Sequence, residues 1–226
     1  MYNGDPLTNP NWSYNSLGND GFVSGQGFAT SAANGTITNV GSTDNTFGYT
    51  LTPATNPANY TVTATAGKLT ITAANTLSVS ATDVTKKYDG NAYGVDASAN
   101  VPASTVIRYS LTNSTNPADY TLTTSPTATH VGDSKTVYFV ATNPNYQPAF
   151  GNAKVTITPR EVTVTAATQS RVYNGNALTD ASVTISGDTF LAGQGFATQP
   201  TASGTITDVG SVANNVVAGT LNATTQ

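Results

Sequence analysis

Apolar residues alternate with hydroxyl residues along most of this chain, in short runs that Gly, Pro and Asn separate. The run Leu77–Thr82 places Leu, Val and Ala at every second position, and Val162–Ala166 repeats the arrangement. This period of two is typical of strands that bury one face. Apolar residues do not recur at helical spacing, and the many Gly, Pro and Thr residues disfavour helix. The pattern therefore predicts an all-β protein.

One tripeptide returns at nearly constant spacing and divides the chain into copies. It consists of Tyr, then Asn or Asp, then Gly, and its copies lie 86 and 85 residues apart: Tyr2-Asn3-Gly4, Tyr88-Asp89-Gly90 and Tyr173-Asn174-Gly175. A motif at such a period indicates tandem copies of one unit. Asn-Gly and Asp-Gly accept positive φ, so we expect each copy to reverse the chain tightly between strands. We expect the Tyr ring to pack inward with its hydroxyl in water.

Three repeat units follow from these turns, and two of them are incomplete. Residues 1–73 form a first unit that lacks the opening strand, 77–159 form a complete second unit, and 161–226 form a third unit that lacks the closing strands. The first and third units share a segment that the second lacks, since Gly25-Gln26-Gly27-Phe28 matches Gly193-Gln194-Gly195-Phe196. We expect a turn or β-bulge here that lets the two Phe side chains tuck inward.

Further strands are predicted in the second unit from the same alternation. The most apolar run, Thr136–Thr142, is expected at the centre of a sheet. Tyr120–Thr123 is expected as another strand, and Ala153–Thr158 is expected to close the unit with Val155 and Ile157 facing inward.

Two smaller features complete the local predictions. In the first unit, Tyr60–Thr65 and Lys68–Thr72 flank Ala66-Gly67, which predicts a hairpin. The adjacent bases Lys86-Lys87 are expected as solvated charges that guard a strand edge.

The composition excludes several classes of protein. Charged residues make up only 9% of the chain, so Thr, Ser, Asn and Gly must form its surface. The net charge of −4 disfavours nucleic acid as a partner, because phosphate binding needs a basic footprint. No apolar run approaches the roughly 18 residues of a membrane helix. The absence of Cys excludes disulfides and thiolate metal sites.

Candidate chemistry is sparse. The single His, His130, cannot form a multi-His metal site, and no nucleophile motif surrounds any Ser, so we expect no enzyme activity, no metal and no cofactor. A Lys–Asn isopeptide cross-link, with Lys68 or Lys154 as donor, is one stiffening device that the sequence leaves open. Calcium at a repeat joint is another, although no calcium-loop spacing is present; four residues offer oxygen ligands: Asp83, Asp89, Asp96 and Asp133.

Two aromatic residues in a polar segment, Trp12 and Tyr14, are the candidate ligand contacts. Exposed aromatic rings stack on sugar rings, so this segment suits a glycan-binding face. In the other interpretation Trp12 covers the thin core of the first unit, because Trp is usually largely buried.

The ordered set of motifs resembles a known family. A strand leads to Lys87-Tyr88-Asp89-Gly90, and the first unit supplies the later landmarks: Val40-Gly41, Asn59-Tyr60-Thr61-Val62 and Gly67-Lys68-Leu69-Thr70-Ile71-Thr72. This set resembles the YDG/MBG (mostly beta, glycine-rich) repeats of bacterial surface adhesins and haemagglutinin-like exoproteins, and the resemblance covers essentially the whole chain. Two of the three turns carry Asn where the family name has Asp. The resemblance implies an extracellular β repeat, at the bacterial cell surface or secreted, and assigns no ligand.

The sequence thus predicts tandem small antiparallel β-sandwiches, Ig-like in general shape, with β-grasp-like units as the alternative. Short joints, Ala73–Thr76 and Pro159-Arg160-Glu161, are expected to stack the units into an elongated rod. The predicted function is a structural stalk or spacer of an adhesin, which supports cell adhesion and has neighbouring repeats of the same chain as its partners. The alternative function is a module that binds a host glycan or mucin through its loop aromatics.

Overall fold

The computed structural model of the protein describes residues 1–14 and 21–223. Their regular structure is β-strand, apart from short 3₁₀ turns at Pro57–Asn59, Pro117–Asp119 and Val131–Asp133. The all-β prediction is confirmed. In the part of the chain that is described, no helix has the length and hydrophobicity needed to cross a membrane.

The described strands of residues 1–73 form antiparallel pairs, β1 with β3, β2 with β5 and β4 with β6. These strands are β1 (Leu7–Thr8), β2 (Phe28–Ala33), β3 (Thr36–Ile37), β4 (Gly41–Asn45), β5 (Phe47–Leu51) and β6 (Gly67–Ile71). The predicted hairpin around Ala66-Gly67 is wrong, because Gly67 already lies in β6 opposite Asn45 of β4. Alternation fixes which residues form a strand, and it does not fix which strand they pair with.

Residues 77–159 contain the largest sheet. Their strands are β7 (Val79–Ser80), β8 (Val84–Lys87), β9 (Ser98–Ala99), β10 (Val106–Ser110), β11 (Lys135–Asn143) and β12 (Tyr146–Thr158). The sheet has the order β10-β11-β12-β8, and β7 pairs separately with β9. The long strands β11 and β12 form a hairpin whose turn is Pro144-Asn145.

The most deeply buried core lies in this sheet. Phe139 and Val140 of β11 are completely buried, as predicted for a central strand. On β12, Val155 is also completely buried and Ile157 is only 2% exposed, so both face inward as predicted. Val95 and Tyr109 complete the same cluster from other parts of the unit.

Two predictions for the second unit are wrong. Tyr120–Thr123 forms no strand and makes only one bridge, between Tyr109 and Leu122, because the 3₁₀ turn Pro117–Asp119 turns the chain just before it. The sheet is mixed and not purely antiparallel, since β8 runs parallel to the end of β12. A parallel pair needs a long crossover, which the chain between Lys87 and Tyr146 provides.

The described strands of residues 161–226 repeat several pairings of the first unit. They are β13 (Val162–Ala166), β14 (Leu178–Thr179), β15 (Val183–Gly187), β16 (Phe196–Thr198), β17 (Thr201–Ser203), β18 (Thr205–Ile206), β19 (Asn215–Val217) and β20 (Thr220–Leu221). β14 pairs with β18 through Leu178 and Ile206, as Leu7 pairs with Ile37 in β1 and β3. β13 pairs with β15, β16 with β20 and β17 with β19, all antiparallel.

The Gly-Gln-Gly segments behave as predicted. Gly25 and Gly193 have φ of +83° and +79°, the left-handed conformation that favours Gly. The register of the following strands then shifts just after Phe28 and just after Phe196, as a β-bulge requires. Both Phe side chains are partly buried.

Candidate functional site

Each copy of the repeated tripeptide forms the same turn, and the turn is not the predicted strand reversal. A side-chain oxygen of the middle residue accepts a hydrogen bond from the backbone N–H two residues further on, which defines an Asx turn. The three bonds are Asn3 with Asp5 at 3.0 Å, Asp89 with Asn91 at 2.9 Å and Asn174 with Asn176 at 3.1 Å. The Gly residues have φ of +88°, +82° and +80°.

The predicted tight reversal between strands is wrong, because the type I′ turn that Asn-Gly favours in such a reversal needs positive φ at both central residues. Among the described residues, only Ser104 combines positive φ with a side chain, so the middle Asn or Asp does not meet this requirement. The hydrogen bond of the Asn or Asp side chain closes the turn, in place of the hydrogen bonds between two facing strands.

The backbone of the turn Tyr is tied to the end of the closing strand. The N–H of Tyr2 donates to the carbonyl of Thr72, and the N–H of Tyr88 donates to the carbonyl of Thr158, both at 2.8 Å. The joint to the next unit begins immediately after these carbonyls. The repeated tripeptide therefore lies at the joint end of its unit, which its spacing alone did not indicate.

The three turn Tyr side chains differ in their surroundings. Tyr2 packs edge-on against Tyr146 of the second unit, with ring centroids 5.5 Å apart. The hydroxyl of Tyr88 accepts a 2.9 Å hydrogen bond from Gln194 of the third unit. Tyr173 is 60% exposed, so the predicted inward packing does not hold for it.

The first joint is bridged by Asn145, in the turn between β11 and β12. Its backbone carbonyl accepts from the N–H of Ala74 at 3.0 Å, and its side-chain oxygen accepts from the N–H of Val40 at 2.9 Å. Its side-chain nitrogen donates to Asn39 at 3.1 Å. Ala74, in the middle of the joint, is 3% exposed. One hairpin turn thus holds both the joint and a loop of the preceding unit.

The second joint is bridged by charged groups. Lys87 donates to both carboxylate oxygens of Asp188 at 2.9 Å, and Asp188 also accepts from the backbone N–H of Glu161 at 2.8 Å. Arg160 donates to the carbonyls of Thr189 at 2.6 Å and Tyr88 at 3.2 Å. Lys87 lies on the edge strand β8 with its side chain 53% exposed, as predicted, and it also forms an ion pair across the joint.

This ion pair perturbs Asp188. The hydrogen bond from the Lys87 side chain, and after it the one from the Glu161 backbone, hold the pKa of Asp188 below its ordinary value. A carboxylate that accepts several donors resists protonation. The joint is thus most strongly bridged when Asp188 is ionised.

A cleft of about 850 Å³ lies in the first unit. Residues from two segments, 9–14 and 60–68, line this cleft together with Asn45 and Phe47. Both candidate contacts, Trp12 and Tyr14, line it.

The two candidate aromatic residues are part of a packed aromatic cluster. The Trp12 ring contacts Phe28 and Phe47, with centroids 5.5 and 5.0 Å away, and Tyr14 stacks on Phe22 at 6.2 Å. Trp12 nevertheless keeps 40% of its surface exposed and Tyr14 keeps 51%. Trp12 therefore covers the aromatic core and borders the cleft at the same time. The saccharide interpretation stays a prediction.

Three of the four Asp residues considered for calcium, all except Asp96, already accept hydrogen bonds. Asp83 accepts from the backbone N–H of Lys154 at 2.7 Å, and Asp133 accepts from that of His130 at 2.9 Å. Asp89 accepts from the Tyr93 hydroxyl, a bond that lowers the pKa of Asp89 and raises that of Tyr93. Within the described ranges, no three His, Asp or Glu side chains come together as a metal site would require.

The Lys residues considered for an isopeptide bond are exposed. Lys68 pairs with Asp44 at 2.8 Å, and their side chains are 71% and 60% exposed. Lys154 is exposed as well. Both therefore lack the burial that such a cross-link needs. Lys86 lies 5.5 Å from the centre of the Tyr93 ring, a cation–π contact.

Sequence reasoning missed the residues that bridge the joints, Asn145, Asp188 and Gln194. Single polar residues in loops carry no periodic signal, so only their contacts show their role.

Comparison with family models, with curated proteins and with solved structures finds no match for this chain. The resemblance to YDG/MBG repeats therefore rests on the motif residues alone and stays a prediction.

Proposed function

We propose that this chain is a spacer segment of a bacterial cell-surface or secreted adhesin, in which small β-units stand in line and hold an adhesive part away from the cell. The bridged joints carry this proposal. A free linker lets neighbouring domains reorient, whereas both joints here are short and bridged. The first joint is hydrogen-bonded to Asn145 of the second unit, which also binds Val40 of the first. The second joint is hydrogen-bonded to the units on both sides. The partners of each unit are its neighbours in the same chain.

The two joints support the proposal with different chemistry. At the first, Asn145 and Tyr146 of the second unit contact Val40 and Tyr2 of the first. At the second, Lys87 is paired with Asp188 across the joint. In both cases the turn Tyr of one unit contacts the next unit. Because each of these contacts joins a unit to the next one, together they fix the orientation of neighbouring units along the chain.

The architecture of the units belongs to the same proposal. The parallel pair of β8 and β12 supports the β-grasp-like arrangement over the purely antiparallel Ig-like sandwich. The shared pairings of the first and third units support tandem copies of one subtype. A surface of Thr, Ser and Asn with few charges suits a spacer, because it offers few charged groups to which unrelated molecules could bind.

The proposal is tested by the distance between the second and third units. Spin labels at Leu111→Cys and Val209→Cys, both exposed positions, report that distance without interference because the chain has no Cys. We expect a narrow distance distribution that broadens when Lys87→Ala and Arg160→Ala are combined. The matched control is Lys68→Ala, which removes an ion pair inside the first unit and should leave the distribution unchanged. A broad distribution in the unaltered chain would refute a fixed joint.

A further inference from the structure

Asn precedes Gly at three places in this chain, and two of them lie in the repeated turn. The dipeptides are Asn3-Gly4, Asn34-Gly35 and Asn174-Gly175, and all three Asn residues are exposed. Such a dipeptide carries a latent reaction, because the backbone nitrogen of the Gly can attack the side-chain amide carbon of the Asn, and no Cβ on the Gly obstructs the approach. The hydrogen bonds around each dipeptide therefore decide where the reaction proceeds.

The Asx turn holds the two reacting groups side by side. To reach the N–H two residues further on, the Asn side chain folds over the backbone nitrogen of the Gly, which lies inside the ring that this hydrogen bond closes. The bond is 3.0 Å long at Asn3 and 3.1 Å long at Asn174. Fixing two reacting groups in this way lowers the barrier to their reaction. The same N–H also faces the amide oxygen on which negative charge develops during the attack, and it stabilises that charge.

The Gly nitrogen of the turn is not engaged elsewhere. As far as the described chain extends, the N–H groups of Gly4 and Gly175 donate no hydrogen bond, and a Cβ added at either Gly would meet nothing within 4 Å. The N–H of Tyr2 is bonded to the closing strand at Thr72, whereas Tyr173 is 60% exposed. The turn has the same form in these two settings, so its geometry does not depend on what surrounds it.

Asn34-Gly35 is held differently and provides an internal comparison. The N–H of Gly35 donates to the side-chain oxygen of Asn45 at 2.8 Å, and Asn45 is only 8% exposed. The side-chain oxygen of Asn34 accepts from the hydroxyl of Thr46 at 2.8 Å. An attack by the Gly35 nitrogen must first break its bond and leave a buried amide oxygen unpaired, which slows the reaction about tenfold.

We infer that Asn3 and Asn174 are sites of spontaneous deamidation, and that the repeated turn promotes the reaction. The Gly nitrogen loses its proton to a base in the solvent and bonds to the amide carbon. The bond from that carbon to the side-chain nitrogen breaks, and ammonia leaves. Water, the only co-reactant, then opens the cyclic imide at either of its carbonyls, so the products are Asp and isoaspartate.

The middle copy of the motif shows that the turn accepts the first product. Asp89 occupies the same position and makes the same bond, from the N–H of Asn91 at 2.9 Å. Isoaspartate differs, because its extra methylene lengthens the main chain between the Tyr and the Gly of the motif and so breaks the Asx turn. At residue 3 this change adjoins Tyr2, whose ring packs on Tyr146 across the first joint. Formation of isoaspartate there loosens the joint.

The test compares each Asn in the folded full chain with the same Asn in the chain unfolded by guanidinium chloride. Both samples are incubated at the same mildly alkaline pH and digested at acidic pH, and mass spectrometry follows the exchange of amide for carboxyl in the three peptides. Isoaspartate is counted with an isoaspartyl methyltransferase, and Asn174→Asp supplies the Asp product as a standard. Dividing each folded rate by the unfolded rate removes the effect of the neighbouring sequence.

We expect this ratio to be at least about tenfold lower for Asn34 than for Asn3 and Asn174, because Gly35 must first give up its hydrogen bond. A smaller difference would overturn the inference. So would an Asn174 that stays intact in the folded chain after the unfolded chain has reacted.

Asp89→Asn extends the test to the complete second unit. This variant places an Asn before Gly90, whose φ of +82° matches that of the other two copies. By the same ratio, we expect the amide at position 89 to be lost at least about tenfold faster than that of Asn34. A slower loss would show that the reactivity does not belong to the turn, and would overturn the inference.

Discussion

Gly151→Ala is expected to destabilise the second unit. Replacing Gly by Ala inside a strand usually does not destabilise a protein, because Gly loses more backbone entropy on folding. Gly151 lies on β12 directly opposite Phe139 of β11. A Cβ added there would lie 3.0 Å from Cζ of the Phe139 ring, 3.2 Å from Cδ2 and closer still to Cε2. Phe139 is completely buried together with Val137 and Val155, so its ring has little room to move away.

Overpacking of this kind costs about 1–3 kcal/mol in a well-packed core. For a unit of this size, each kcal/mol lowers the melting temperature by roughly 4–8 °C. Calorimetry of the full chain should therefore show the transition of the second unit lowered by roughly 4–24 °C. Hydrogen exchange of β11 and β12 should identify that transition.

The matched control is Gly132→Ala, where an added Cβ meets nothing within 4 Å. We expect this variant to melt near the unaltered temperature. Combining Gly151→Ala with Phe139→Leu should recover part of the loss, because the smaller side chain leaves space for the added methyl group. A Gly151→Ala chain as stable as the unaltered one would show that β11 and β12 do not pack in this register.

Three further predictions concern the joints, the turns and the relative stability of the units. The pKa of Asp188 is held below its ordinary value of 3.8, so the stabilisation of the second joint by Asp188 is present above pH 3.8 and is lost as the pH falls through the lowered pKa. The spin-label distance distribution should broaden over that pH range, and Asp188→Asn should broaden it at neutral pH. Asp89→Asn should keep the Asx turn, since the other two copies carry Asn, but it removes the carboxylate that raises the pKa of Tyr93. An NMR titration of the Tyr93 ring should show that its pKa falls in this variant. An unchanged pKa would contradict the hydrogen bond between Asp89 and Tyr93. Amides of the first and third units should exchange faster than those of 77–159, where most completely buried side chains lie; uniform protection would show that the unit boundaries are wrong.

The alternation of apolar and hydroxyl residues predicted the strands better than it predicted their partners. β11, β13 and the end of β12 form where the pattern places them, because a period of two fits one buried face. The partner of a strand depends on the path of the chain. Alternation alone therefore does not predict that β6 pairs with β4, or that β8 runs parallel to β12.

The repeated tripeptide shows a second limit of sequence reasoning. The Gly of the motif does require positive φ, as predicted. Asn-Gly is compatible with both a hairpin and an Asx turn, and only the position of the flanking strands separates them. Trp12 shows the same limit, because its residue type is compatible both with a ligand contact and with a side chain that covers the core of the first unit. The structure shows both features, because Trp12 packs on Phe28 and Phe47 while 40% of its surface stays exposed beside the cleft.

The most direct test of the spacer proposal is small-angle X-ray scattering of the full chain. A compact globule of this length has a radius of gyration of about 17 Å. Units in line, held by the bridges at Asn145 and Asp188, predict a clearly larger radius and the scattering profile of an elongated particle. A radius close to that of the compact globule, with the units folded against a common interior, would contradict the proposal.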